Sequence, residues 1–192
     1  MLLLHLASNL NLIILAEARN RRAERQTRKR IEDLPAIRVV ATANHFRAWT
    51  APNPDYQATI RGADGERIGK AAYALSPLND RVYLFRIEIE VAYRRRGYGL
   101  ALLWHLAKAY GQPITPVHVL LSSHEFWRAA RRLEAAGLIV TDEVRSGEMD
   151  DEAGRWQHLR PQVERLQRKI SERLSRGEPW EVAVGRGLES DG

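Results

Sequence analysis

One stretch constrains this chain more than any other: Ile87-Glu88-Ile89-Glu90-Val91-Ala92-Tyr93-Arg94-Arg95-Arg96-Gly97-Tyr98-Gly99-Leu100. Its first part alternates apolar and charged residues and reads as a strand. After the glycines, Leu100, Leu103, Trp104 and Ala107 recur on one helical face, and Gly111 with Pro113 ends the run. A strand that enters a helix through so tight a turn is the first half of a β-α-β crossover, which requires a parallel strand beyond the helix. The turn also has chemistry. Backbone N–H groups at a helix N-terminus lack intrahelical partners and point outward with the positive end of the dipole. Gly97 and Gly99 let that backbone approach a ligand closely, and Arg94, Arg95 and Arg96 surround it with positive charge, so a pyrophosphate fits there. The plainer reading is an ordinary strand-to-helix turn that happens to carry glycines.

Other motifs of this kind fail on single positions. A dinucleotide fingerprint needs a third glycine where Leu102 stands. A P-loop needs Ser or Thr after Gly69-Lys70, where the chain has Ala71, and a first glycine where it has Asp64. A zinc-protease helix starting at His124-Glu125 would have Arg128 as its second ligand. No metal site is expected, and the lack of cysteine removes disulfides, thiolate metal sites and cysteine nucleophiles. A reducing, cytoplasmic location is the expectation.

Around the turn, Ile37 to Ala41, Tyr56 to Arg61, Arg67 to Leu75 and Arg81 to Val91 read as strands, with Gly62-Ala63-Asp64-Gly65 as a hairpin turn. Short loops between the last three imply an antiparallel meander. Pro116 to Leu121 reads as the buried parallel strand beyond the helix. A second helix is expected from an N-cap at Ser122 or Ser123 to about Ala136, followed by a strand from Leu138 to Val144. Past Gly147 the composition turns acidic, and then Trp156, Leu159, Val163, Leu166, Ile170 and Leu174 form one apolar stripe, either core or a homodimer seam. Trp180 to Val184 reads as a final strand.

The net charge of +6 is local. Between Arg19 and Arg30 seven bases face Glu24 alone, which leaves the chain after residue 30 nearly neutral. That segment packs on its own protein or contacts nucleic acid or another acidic partner. Upstream, Leu3, Leu6, Leu10, Ile13 and Ile14 share a helical face. The apolar run is short for a membrane span and lacks the charged start of a signal peptide, so no membrane span is expected.

The motif Arg94 to Gly99, with the strand before it and Leu100-Ala101-Leu102-Leu103 after it, resembles the acyl-CoA-binding motif of the GNAT superfamily of N-acetyltransferases. The order of elements from about Tyr56 to Val144 is similar to that family as well. The resemblance implies an α/β fold with a mixed central sheet of the acyl-CoA N-acyltransferase type: an antiparallel meander and then a β-α-β crossover, here with an extra N-terminal basic helix and a long C-terminal helix. It implies acetyl-CoA as acyl donor, its pantetheine along Ile87, Ile89 and Val91 and its pyrophosphate on Arg94, Arg95, Arg96, Gly97, Tyr98, Gly99 and Leu100. The acceptor would be a primary amine, on a small metabolite, an antibiotic, a protein or an aminoacyl-tRNA.

The chain also departs from the family. Where relatives commonly place a Glu or His on the motif strand stand Tyr83 and Phe85, and Leu133 replaces the Tyr that often serves as general acid. Glu88 and Glu90 are then the nearest carboxylates, catalytic or merely ion-paired, and His118, Ser122, Ser123 and His124 cluster at the end of the crossover strand. The expected organisation is a helical extension over 1–34, an acyltransferase core over 35–146, and an acidic linker, long helix and final strand over 147–192. The alternative to an enzyme is an inactive module of this fold that binds a protein or nucleic-acid partner through its extra helices.

Overall fold

The computed structural model describes residues 21–43, 52–180 and 182–183. Residues 21–32 form helix α1, mostly exposed, with Ile31 against the core. Five strands then make one sheet in chain order: β1 (Ile37–Ala43), β2 (Tyr56–Gly62), β3 (Arg67–Leu75), β4 (Val82–Ile89) and β5 (Ile114–Pro116). The first four are antiparallel, and β5 runs parallel to β4. Helix α2 (Tyr98–Tyr110) makes the crossover between them. The mixed α/β sheet expected from the strand–turn–helix stretch is therefore present.

Local chemistry explains the meander. Gly65, at φ 83°, donates its N–H to the Gly62 carbonyl at 3.0 Å, and Asp64 Oδ1 accepts from the Glu66 N–H at 3.1 Å, closing the β2–β3 turn. Between β3 and β4 the backbones approach closely at Gly69, where an added Cβ would lie 2.1 Å from the Glu88 carbonyl oxygen. The β3–β4 register shifts between Ala72 and Tyr73, which leaves Phe85 of β4 as the extra, bulged residue.

Each face of the sheet buries its own core. Ile60, Leu84 and Ile114 pack against Leu102, Leu103 and Leu106 of α2 and against Trp127, Leu133 and Leu138. Burying each of those α2 leucines contributes about 2 kcal/mol. That outweighs the roughly 1 kcal/mol that Gly99 costs as a helix residue, so the turn keeps its glycine. On the other face Tyr83, Ala74, Val117 and Val144 enclose Trp156, whose ring meets Tyr83 edge-on at 6.1 Å.

The structure corrects several expectations. The parallel strand ends at Pro116 rather than running from 116 to 121. His118 takes φ 54°, and Leu120 and Leu121 are exposed, the latter at 88%. The stretch 138–144 forms no strand of its own; it runs beside β5 through the isolated parallel bridges Ile114 to Val140 and Val117 to Val144 and through the hydroxyl pair of Thr115 and Thr141 at 2.8 Å. Helix α3 spans His124–Arg131 and yields to a 3-10 turn at Glu134–Ala136. Ser123 does not cap it, because its Oγ donates to the Leu120 carbonyl at 2.7 Å.

The acidic stretch after Gly147 is not extended but forms α4 (Met149–Gly154), fastened to the sheet by a polar network. In it Tyr83 hydrogen-bonds Glu152, Arg155 binds Glu152 at 2.6 Å and also Asp80, and Arg81 reaches Glu152 at 3.2 Å. Helix α5 (Arg160–Ser175) begins after Trp156, so the tryptophan is core while Val163, Leu166, Ile170 and Leu174 are half-buried. Gly177, at φ 85°, ends it. Where a final strand was expected, the described residues Trp180, Val182 and Ala183 are helical: Pro179 presets a helical φ, and its carbonyl accepts the Ala183 N–H at 2.9 Å. The apolar run from Leu3 to Ile14, and Arg19, lie outside the described residues.

Candidate acyl-CoA site

Strand β4 ends at Ile89, a single 3-10 turn spans Val91–Tyr93, and α2 starts at Tyr98. Two residues bend the chain between them: Arg95 at φ 62° and Gly97 at φ 87°. For glycine the left-handed conformation is free, whereas for Arg95 it costs about 1 kcal/mol. Arg94 Nε donates to the Ile89 carbonyl at 2.9 Å and ties the turn to the strand. Ala101 donates the first helical hydrogen bond, to the Gly97 carbonyl at 2.9 Å, so among the described residues the amides of Tyr98, Gly99 and Leu100 have no backbone acceptor. These amides are the expected anion cradle.

A cavity of about 590 Å3 opens over them. Its walls include Ile87, Ile89, Arg94, Arg95, Gly97, Tyr98, Gly99 and Leu100, eight of the ten residues assigned to the cofactor from sequence. The other two lie outside it. Val91 is 76% exposed, and the Arg96 guanidinium stands 6.0 Å from the centre of the Tyr93 ring.

Residues that sequence reasoning did not assign to the cofactor complete the walls: Tyr93 from the turn, Arg30 from α1, and Ser122, Ser123, Glu125, Phe126 and Ala129 around α3. Periodicity carries no signal for those from α1 and around α3, because their places follow from how α1 and α3 pack against α2. The Glu125 carboxylate is gripped by Arg128, with Arg132 and Arg95 nearby, and lies below the usual carboxylate range.

A second cavity, of about 470 Å3, follows the divergence of β4 from β5. Pairing of the two strands stops at Leu84 and Pro116, with one more bond from the Val117 N–H to the Leu84 carbonyl at 3.0 Å. Beyond it the free edge of β4 faces a groove walled by Phe85, Arg86, Glu88, His118 and Val119. Ile87, Ser123 and Phe126 line both cavities, so the groove adjoins the cavity over the turn.

The two carboxylates assigned to catalysis stand apart from the cradle. Glu88 lines the groove and binds Lys70 Nζ at 2.9 Å and Arg86 at 3.6 Å; the Lys70 contact above all holds its carboxyl below the usual range. Glu90 pairs with Arg67 at 3.7 Å and lines neither cavity. Tyr83 is buried; burial and the hydrogen bond to Glu152 push its phenol up, which makes it a structural group. His118 Nδ1 lies 3.1 Å from Ser146 Oγ. Among the described residues no cluster of three or more His, Asp or Glu side chains is placed to hold a metal ion, and no helix is long and apolar enough to cross a membrane.

A glycine turn at the mouth of a cavity, beside a parallel strand pair that splays apart, defines the class of the fold as a mixed α/β sheet with a strand–turn–helix crossover. The family model of the acetyltransferase (GNAT) family matches residues 14–130, and the chain belongs to that family. Among solved structures it is similar to a candidate acetyltransferase from Deinococcus radiodurans R1, at 17% identity and TM-score 0.35, over 54% of this chain and 82% of that one. It is similar also to nourseothricin acetyltransferase, at 18% identity and TM-score 0.34, over 51% of this chain and 82% of that one. No curated protein matches the sequence.

Proposed function

We propose that the chain is an N-acetyltransferase that moves an acetyl group from acetyl-CoA to a primary amine. The observation that carries this reading is the adjacency of the two cavities, which share Ile87, Ser123 and Phe126 as walls. In this reading the amides of Tyr98, Gly99 and Leu100, with Arg94 and Arg95, hold the pyrophosphate. The free edge of β4 offers its N–H and C=O groups to the pantetheine amides, as a missing strand would. Residues 35–146 form the acyltransferase core, with 1–34 and 147–192 as additions to it.

Acetyl-CoA supplies an activated thioester, and the chain's own residues must do the rest. The acceptor reaches the groove as an ammonium ion and must lose a proton before it can act as a nucleophile. Glu88, held ionised and paired by Lys70 and Arg86, is a weak proton acceptor, so its place in the groove lining makes it a contact for the acceptor rather than its base. Glu90, bound to Arg67 outside the groove, is the weaker candidate. His118 is the one imidazole in the groove lining and can accept the proton at Nε2 when its Nδ1–H donates to Ser146. Incubation with acetyl-CoA and a panel of amines, followed through release of the CoA thiol, tests the reading. Amine-dependent release that is lost in Gly97→Val supports it, and no release with any amine class counts against it.

One observation favours a second reading, an inactive module of the same fold. Leu133, standing where the family often has its acid, is fully buried and has no proton to give. Such a module would bind CoA without amine-dependent release of thiol.

A further inference from the structure

Helix α1 belongs to no part of the phosphate motif, yet Arg30 lines the cradle cavity together with Arg94 and Arg95. We infer that Arg30 is a third cation for the CoA phosphates and that α1 is a side wall of the cofactor site. The inference rests on the acyl-CoA reading above.

Three observations converge on it. First, the end of α1 is fixed against the turn: a Cβ added to Gly97 would lie 3.1 Å from Pro35 Cδ and 3.5 Å from Leu34 Cδ2. The segment leaving α1 thus touches the residue that opens the cradle. Second, α1 has two distinct sides. Arg21, Arg25, Arg28 and Ile31 face a separate groove beside Trp104 and Lys108 of α2. Arg30, two residues from Arg28 and so about 200° around the helix, faces the cradle instead. Third, among the described residues Arg30 makes no ion pair, whereas the one acidic side chain in the cavity wall, Glu125, is already occupied by Arg128. The cavity therefore presents three guanidinium groups and a compensated carboxylate, a balance suited to a ligand with several phosphate charges.

The basic run thereby acquires a local role. Part of what reads in sequence as a patch for a polyanionic partner serves the small-molecule site.

Calorimetric titration of the full chain with CoA at about 0.15 M salt tests this, comparing Arg30→Gln with Arg28→Gln. Arg28 is the control, having the same charge and helix but facing the other groove. Arg30→Gln should weaken CoA binding about tenfold, as loss of a charge-assisted contact does, while Arg28→Gln stays within about twofold of the parent and Arg30→Lys recovers most of the loss. Equal affinities for Arg30→Gln and Arg28→Gln, both folded by circular dichroism, would overturn the inference while leaving the cradle intact. A parent chain that does not bind CoA at all would instead overturn the acyl-CoA reading, and this inference with it.

Discussion

Gly99 and Phe126 touch across the mouth of the cradle: a Cβ on Gly99 would lie 2.8 Å from Phe126 Cε2. A side chain at the second motif glycine would therefore collide with the neighbouring helix. Phe126 lines both cavities, so any shift it makes to accept a side chain at 99 reshapes both. Gly99→Ala should destabilise the fold by about 1–3 kcal/mol through overpacking and weaken acetyl-CoA binding. Adding Phe126→Leu should restore most of the stability but not the affinity. Denaturant unfolding and calorimetry on the single and double variants separate the two effects.

Arg95 offers the opposite separation. It sits at φ 62° and lines the cradle, so it combines strain with charge. Asparagine tolerates that conformation better than most residues. Arg95→Asn should leave the melting temperature unchanged or slightly higher while weakening acetyl-CoA binding several-fold. A large loss of stability would mean that the arginine is held by contacts other than its charge.

How much of this is legible in the sequence depends on range. Strands β1 to β4, the hairpin at Gly62 to Gly65 and helix α2 follow from local periodicity and turn residues, and most of the cradle comes with them. The crossover strand was misplaced because apolar content outweighed backbone chemistry. Pro116 has no N–H for the sheet, and His118 turns left-handed, so Leu120 and Leu121 face outward although their residue type suits a core strand. Arg30 and Phe126 reach the site only through helix packing, which no spacing rule encodes. Trp156 fits the stripe of α5, yet it belongs to the core beneath Tyr83.

The polar network around Asp80 predicts an acid-sensitive joint between α4 and the sheet. Burial pushes the Asp80 carboxyl up, but hydrogen bonds from Ser76 and Arg155, with Arg81 nearby, outweigh this and leave it below its ordinary value. A carboxyl lowered in the folded state contributes stability that is fully present above its unfolded pKa, roughly 3.9, and is lost as pH falls through the folded value. Asp80→Asn should therefore cost about 1–2 kcal/mol at pH 7, and its deficit relative to the parent should shrink below about pH 4. Urea unfolding across that range measures the gap; a gap independent of pH would contradict the assignment.

In the groove the two polar candidates should behave differently. Glu88→Gln removes a fixed charge, so it should raise the acceptor KM more than it lowers kcat and leave the pH profile in place. His118→Gln should lower kcat about a hundredfold, as loss of a general base does. Because Glu88 lies below the usual carboxylate range, it cannot supply a limb near neutrality. Glu90→Gln, altering a residue that lines neither cavity, should change little.

The most direct test of the central claim is calorimetric titration of the purified chain with acetyl-CoA, with desulfo-CoA as a competitor that cannot carry an acyl group. The account predicts one site per chain in the micromolar range, competed by desulfo-CoA and lost in Gly97→Val. Absence of binding to a well-folded sample, or binding that Gly97→Val leaves unchanged, would contradict it.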